Sequence, residues 1–282
     1  MDSDRDLPLS VDLIRDGLDT AVFGQVVVYI PVVSSTNDVA RDLASYGAPE
    51  GTLVVADAQT AGRGRLGRRW QALARCSLLC SLVMRPRLTP SESFRVTALL
   101  AVAIARAVES CHQIPTGLKW PNDVMLNGLK LAGVLAESSL LGSQLEYVIA
   151  GFGINVNLTR SDLKPLPEAT SLRAVLGYAT DRATLLRQVL REIEGLLPSL
   201  PPPGASPTAK TPAVGSDSLL EEWRRRLVTL GQPVTVSGPG ESFDAFALDV
   251  TPTGSLLVKR ANGPVIAVAA GDVTLRGGAR PH

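Results

Sequence analysis

The densest chemistry in the chain is Gly62-Arg63-Gly64-Arg65-Leu66-Gly67-Arg68-Arg69-Trp70, in which four arginines fall within seven residues and a tryptophan follows. Guanidinium forks bind phosphate or carboxylate bidentately, and glycines let the backbone approach a ligand closely. The three glycines match G-x-G-x-x-G, but two features exclude a dinucleotide-binding fold. No crossover helix fits between Gly67 and the apolar run that begins at Ser77, and no acidic residue occurs from Arg68 to Ser91 to hold a ribose. No Lys-Ser/Thr follows the glycines, so the loop is not a Walker A motif either. A small phosphorylated ligand, a solvated basic loop and a nucleic-acid contact all remain open from this segment alone.

Lysine is scarce: the chain has five, and none precedes Lys119. Lys119 and Lys130 lie 11 positions apart, in Leu118-Lys119-Trp120-Pro121-Asn122-Asp123 and Lys130-Leu131-Ala132-Gly133. That rarity points to half-buried cations facing an anion, although Lys130 could equally snorkel at a strand edge. Pro121 fixes a bend, and Asn122 with Asp123 suits an Asx-turn. A third segment, Gly151-Phe152-Gly153-Ile154-Asn155-Val156-Asn157, places glycines inside a strand. Such glycines mark a bulge or a place where something approaches the backbone. Asn155 and Asn157 share a strand face and offer amide donors and acceptors.

The elements that must position these residues follow from periodicity. Gln25 to Ile30 reads as a strand, and Ser34-Ser35-Thr36-Asn37 opens a helix carried by Val39, Leu43 and Tyr46. Thr52 to Ala56 and Ser77 to Met84 are further strands, and Ser91 to Cys111 is a core helix. Four strands follow, Gly117 to Trp120, Val124 to Leu126, Lys130 to Glu137 and Leu145 to Asn157, with turns too short for anything but antiparallel pairing. A helix over Arg182 to Leu197 precedes Pro198 to Asp217, which holds six prolines and few large apolar side chains and reads as a linker. Beyond it, a helix over Leu219 to Leu230 and five short strands suit a small β-barrel. The expected division is an extension over 1–24, a large unit over 25–197, the linker over 198–217 and a small unit over 218–282.

Composition narrows the options. With 282 residues, 28 basic and 27 acidic, the formal charge is +1, which excludes a global basic field for nucleic acid or an anionic membrane. Cys76, Cys80 and Cys111 form an odd set, two of them in apolar surroundings, which reads as buried thiols in a reducing cytoplasm. The start MDSDRD has no apolar run after it, and the longest all-apolar stretch, Ala98 to Ala105, is far short of a membrane span.

Taken in order, SSTN, AQTAGRGRLGRRW, LKWPNDV, KLAGVLAE, GFGINVN and GDVTLR resemble the biotin protein ligase family. The resemblance implies an α/β (α+β) fold: a class II aminoacyl-tRNA-synthetase-like catalytic domain with a mixed sheet, followed by an SH3-like β-barrel. It implies activation of biotin with ATP and Mg²⁺ to biotinoyl-5′-AMP, then transfer to a lysine of a biotin carboxyl carrier domain. By matching position, Ser35, Thr36, Gln59, Gly62, Arg63, Gly133, Leu135 and Gly151 resemble the biotin contacts. Lys130 resembles the lysine that reaches the biotin carboxyl and the acyl-phosphate oxygens, and with Arg63 and Arg65 it would form the catalytic cations. Arg65 and Arg68 resemble the arginines that close over the adenylate, and Trp70 the residue beside the ligand's aliphatic chain and adenine. Asn122 and Asn155 resemble nucleotide contacts, and Arg276 the arginine through which the barrel reaches the nucleotide. Protein metal ligands are not assigned. Too few residues precede Gln25 for the operator-binding domain of longer members, so no DNA partner is expected. Sheet-to-sheet dimers occur in the family, which makes a homodimer compatible with an edge strand. A lipoate or octanoate ligase of related fold is the alternative enzyme, and a nucleic-acid-binding module the alternative of another class.

Overall fold

A computed structural model of the chain describes residues 8–200, 218–238, 242–261 and 263–276. The elements run α1 (Val11–Arg15), β1 (Val27–Val33), α2 (Thr36–Ser45), β2 (Leu53–Gln59), β3 (Ser77–Met84), α3 (Phe94–His112), β4 (Gly117–Lys119), β5 (Asp123–Leu126), β6 (Leu129–Leu141) and β7 (Gln144–Asn155). Then come α4 (Leu172–Leu176), α5 (Arg182–Leu196), α6 (Ser218–Arg226), β8 (Pro233–Ser237), β9 (Ser242–Val250), β10 (Leu256–Lys259), β11 (Val265–Val268) and β12 (Asp272–Leu275).

The first seven strands form one sheet in the order β1-β2-β3-β7-β6-β5-β4. β1 and β2 are parallel and joined through α2, whereas every other neighbour is antiparallel, so the sheet is mixed. Strand alternation divides its residues. Val55, Leu78, Cys80, Leu82, Ala150, Phe152 and Ile154 join the main core under α3 and α5, while Val54, Val83 and Ile149 pack beneath α2. The face shared with α2 is therefore the one that also carries Ser81, Gly151 and Gly153, and it holds the cleft described below.

The second sheet is five-stranded and antiparallel, ordered β11-β10-β9-β8-β12. It is fastened to the first through aromatic contacts: Trp120 Nε1 donates to Gly254 O at 2.9 Å, and the Phe94 and Trp223 rings lie 6.1 Å apart. Charges join the same seam, with Arg226 on Glu109 and both Arg106 and Arg226 on Glu222. Beneath the large sheet, Arg182 and Asp57 form a fully buried pair at 2.8 Å, and Tyr29 adds a hydroxyl donor to Asp57. Removing one partner of such a pair costs about 3–5 kcal/mol.

Several strand ends shift by a few residues, β1 to Val27–Val33 and β6 to Leu129–Leu141 among them, and two helix boundaries differ for an evident reason. The helix expected from Ser91 begins at Phe94, because Thr89 and Glu92 form a capping box around a short 3₁₀ turn. The helix expected to reach Leu230 stops at Arg226, because Val228 N donates to Leu118 O and Leu227 bridges to Leu118. The Pro-rich stretch lies outside the described residues from 201 onward, as do residues 1–7 of the N-terminal extension.

Candidate active site

The floor of the cleft is made where three of four facing positions of β6 and β7 are glycine: Gly133 opposite Gly153, and Gly151 opposite Leu135. Each glycine is required by what lies on it. A Cβ at Gly153 would come within 2.5 Å of the Trp70 indole, and one at Gly151 within 2.1 Å of Asn37 Oδ1. A cleft opens over this floor, with Trp70 and Asn37 standing on its glycines.

At one end the lining is neutral and hydrogen-bonded. Ser35 caps α2 by backbone geometry alone, with no side-chain cap bond, so its hydroxyl faces the cleft. Thr36 N donates to Gln59 Oε1 at 2.7 Å, and Ser81 Oγ lies 2.7 Å from Thr36 Oγ1 and donates to Asn37 Oδ1 at 2.5 Å. Ser35, Thr36, Asn37 and Ser81 are all buried. Beneath this end the Cys80 thiol packs into the main core on the opposite face of the sheet, where burial pushes its pKa far above the usual range and makes it inert packing.

The arginine segment is a hairpin. Gly64 N donates to Arg68 O at 2.7 Å, Trp70 N donates to Gly62 O at 3.0 Å, and Arg63 bridges to Arg69. Its tip turns through Leu66 and Gly67, both at positive φ (54° and 73°), a conformation that disfavours leucine. The hairpin delivers Trp70 onto the Gly133–Gly153 floor, with Lys130 Nζ 5.6 Å from the ring centroid. Trp70 Nε1 is buried without a hydrogen-bond partner among the described residues, a donor that faces the cleft unsatisfied.

Four of the five cations that line the cleft meet a carboxylate, and Arg69 instead donates to Thr60 O at 3.0 Å. Lys130 Nζ lies 2.7 Å from Asp123. Arg65 reaches Asp272 at 3.4 Å, Gly271 O at 3.2 Å and Asn122 Oδ1 at 3.3 Å, while Arg68 meets Asp272 at 2.8 Å. Burial lowers the Arg65 pKa from the ordinary arginine value, against the nearby Asp272 and Asp123 charges. Arg63 sits between Asp38 at 2.7 Å and Glu137 at 3.2 Å; burial opposes its charge, but these two carboxylates outweigh it and its pKa is raised. Loop arginines occupied in this way are not a bare phosphate-tracking surface.

Thus Ser35, Thr36, Gln59, Arg63, Arg65, Arg68, Trp70, Asn122, Lys130, Gly133, Leu135 and Gly151 are gathered in one cleft. Gly62 lies just behind it, where a Cβ would strike Trp70 O at 2.7 Å. Lys119 lies outside the lining. Asn155 donates to Thr170 O at 3.0 Å and does not line the cleft, although its buried Oδ1 has no hydrogen-bond partner. Arg276 is exposed and pairs with Asp244 at 2.5 Å; the second sheet meets the cleft instead through Asp272. Sequence reasoning gave no role to Asn37, Ser81, Glu137 or Asp272. Asn37 and Glu137 stood within quoted motifs, and Asp272 stands in GDVTLR, but no spacing signal marked them.

A glycine-floored cleft in a mixed sheet, crossed by an arginine hairpin and holding a lysine over a tryptophan, defines a site for a small anionic ligand. Residues 29–155 match the family model described as Biotin/lipoate A/B protein ligase family, and residues 229–276 match Biotin protein ligase C terminal domain. The chain is 34% identical over 273 residues to the biotin--[acetyl-CoA-carboxylase] ligase of Mycobacterium tuberculosis, covering 94% of this chain and 95% of that one. It is 43% identical over 186 residues to the bifunctional ligase/repressor BirA of Bacillus subtilis, covering 64% of this chain but only 57% of that relative's length. The biotin protein ligase from Aquifex aeolicus, solved in complex with biotin and ATP, superposes with a TM-score of 0.69 at 28% identity, covering 90% of this chain and 100% of that one. The chain belongs to the biotin protein ligase family.

Proposed function

We propose that the protein activates biotin with ATP to biotinoyl-5′-AMP and transfers the biotinoyl group to one lysine of a biotin carboxyl carrier domain. The observation that carries this reading is the continuity of the cleft: a buried neutral pocket runs directly into a set of cations over Trp70. A ureido head and an aliphatic chain suit the first part, and a carboxylate meeting a phosphate suits the second.

In the first step a carboxylate oxygen attacks the α-phosphorus of ATP and pyrophosphate leaves. Two anions must meet, so the step calls for fixed cations rather than a general base. Lys130 and Arg65 stand at that place, and Trp70 supplies the wall against which an adenine or the ligand's chain would lie. Arg68, 69% exposed at the hairpin, is positioned to close from the solvent side. In the second step the carrier lysine's amine attacks the acyl carbon and AMP leaves, with Asp123 beside Lys130 as the carboxylate placed to take its proton.

Mg²⁺ fits as a companion of the nucleotide. Among the described residues no group of three or more potential protein ligands exists, and magnesium commonly rests on substrate phosphates with one or two carboxylates, here Asp123 and Asp272. Its contribution would be neutralisation of the triphosphate. We assign catalysis to 25–197, a connecting role to 198–217 and closure of the nucleotide side to 218–282. A cytoplasmic setting agrees with three free thiols, Cys76 and Cys80 buried and Cys111 exposed, and among the described residues no helix is long and apolar enough to cross a membrane. β1 is an edge strand with Val32 60% exposed, which suits pairing with a second copy.

Pyrophosphate release tested separately with biotin, lipoate and octanoate discriminates among the ligases of this fold. Release with biotin alone is expected. Release with lipoate or octanoate and none with biotin would contradict the proposal.

A further inference from the structure

Glu137 lies on β6 opposite Ile149, two residues beyond Leu135, on the face shared with α2. One of its oxygens, Oε2, accepts from three donors: Asn37 Nδ2 at 2.6 Å, Arg41 at 2.9 Å and Arg63 at 3.2 Å. Arg41 and Arg63 also share Asp38, at 2.8 and 2.7 Å, so two arginines and two carboxylates close a balanced cluster at the rim of the neutral pocket.

An ionised carboxylate only accepts hydrogen bonds, and this fixes the orientation of Asn37 and the bond from Ser81, whereas Gln59 is oriented separately by a backbone N–H. Asn37 must turn its NH₂ to Glu137, which leaves Oδ1 toward Ser81. Ser81 must then donate to Asn37, at 2.5 Å; Thr36 Oγ1 lies 2.7 Å from the Ser81 oxygen and donates its own hydroxyl to Gln59 Oε1 at 3.2 Å. Thr36 N donates to Gln59 Oε1, which turns the Gln59 NH₂ away from α2. Had the first group been an amide, Asn37 could flip and the bond between Asn37 and Ser81 would reverse. The cluster is partly exposed, with Glu137 at 31%, and exposed ion pairs add little stability, so its value lies in orientation.

We propose that Glu137 is a positioning residue that sets the donor–acceptor polarity of the head pocket and ties that pocket to the arginine hairpin through Arg63. This rests on the biotin-ligase reading, because the pocket whose polarity it sets is the one assigned to the biotin head. Polarity matters because a ureido group presents fixed N–H donors and a carbonyl acceptor, and a reversed pocket would leave buried groups unpaired.

The test is calorimetric titration of the full chain with biotin in the absence of ATP, together with KM values for biotin and ATP. Wild-type protein that binds no biotin would overturn the ligase reading itself, before Glu137 is in question. Given wild-type binding, Glu137→Gln is expected to weaken biotin at least about tenfold while KM for ATP at saturating biotin stays within about twofold. Glu137→Asp keeps an acceptor-only group and is expected to retain clearly more affinity than Gln. In Glu137→Gln, trypsin is expected to cut more readily among Arg63 to Arg69, because Arg63 loses its anchor on β6. Unchanged biotin affinity in Glu137→Gln, equal loss for the Gln and Asp variants, or parallel loss in both KM values would each overturn the proposal. Should Glu137→Gln not fold, Ser81→Ala interrupts the same chain two links on. It is expected to weaken biotin with ATP unaffected, and unchanged biotin affinity would overturn the proposal equally.

Discussion

At one end of the cleft, Thr36, Asn37, Gln59 and Ser81 are neutral and bonded to one another through bonds of 2.5–2.7 Å among buried groups. At the other end, Lys130, Arg65 and Arg68 are charged, partly exposed and bonded to Asp123 and Asp272. The first end is built before any ligand arrives and reads shape and hydrogen-bond pattern. The second is charge-balanced when empty, so an incoming anion must take over cations already held by carboxylates. Affinity and selectivity for the head belong to the rigid end, and rate belongs to the exchangeable one.

Breaking the charged end should have the largest effect. Lys130→Ala is expected to lower adenylate formation by about 10²–10³-fold, the usual cost of one preorganised electrostatic group. Pyrophosphate release measures it. The thermal midpoint should move little, because the Lys130 side chain is one-third exposed; near-normal release would make Lys130 structural.

Next come the floor glycines, which separate the two ends by two residues on one strand. Gly151→Ala drives a methyl into Asn37, and Gly153→Ala drives one into Trp70. A displacement of about 1 Å at a reacting site costs up to roughly 10²-fold. Gly151→Ala should place most of that loss on KM for biotin, whereas Gly153→Ala should place it on ATP. Equal effects of both on both substrates would erase the distinction between the ends.

Salt offers a weaker probe. Raising ionic strength from about 0.1 M to about 1 M shortens the screening length from about 10 Å to about 3 Å. KM for ATP should rise a few-fold while calorimetric biotin affinity at the neutral end stays nearly constant. A parallel loss of biotin affinity would show that charge reaches the head pocket.

The smallest effect concerns the seam to the second sheet. Burial disfavours the Glu222 carboxylate, but Arg106 and Arg226 outweigh it and hold its pKa below the ordinary 4.5. A pKa lowered on folding means stability that is complete above 4.5 and is lost as pH falls through the lowered value. The difference in thermal midpoint between wild type and Glu222→Gln should therefore be greatest near neutrality and close in acid. A difference that persists in acid would assign the seam to packing of Phe94 and Trp223 instead.

The strands were largely legible because burial writes itself into local composition. Ser77–Met84 is buried along its whole length, and its apolar run marks the strand limits. The arginine loop announced its chemistry through residue type, but its hairpin form depends on bonds such as Gly64 N to Arg68 O that no periodicity encodes. The carboxylates of the site were invisible for a topological reason. Asn37 meets Glu137 across 100 positions and Arg65 meets Asp272 across 207, so neither pair leaves a local pattern. Family resemblance pointed to Arg276 in GDVTLR; here Arg276 is exposed and pairs with Asp244, while Asp272 of the same motif lines the cleft. The short helix Leu172–Leu176 escaped because five residues are too few to show a period, although Ser171 and Gly177 cap it locally.

The most direct test is transfer itself. The full chain is incubated with biotin, ATP, Mg²⁺ and an apo biotin carboxyl carrier domain, and the carrier is read by mass spectrometry. The account predicts one biotinoyl group on one carrier lysine with wild-type protein and next to none with Lys130→Ala. An unmodified carrier with folded wild-type protein, or equal labelling by Lys130→Ala, would contradict it.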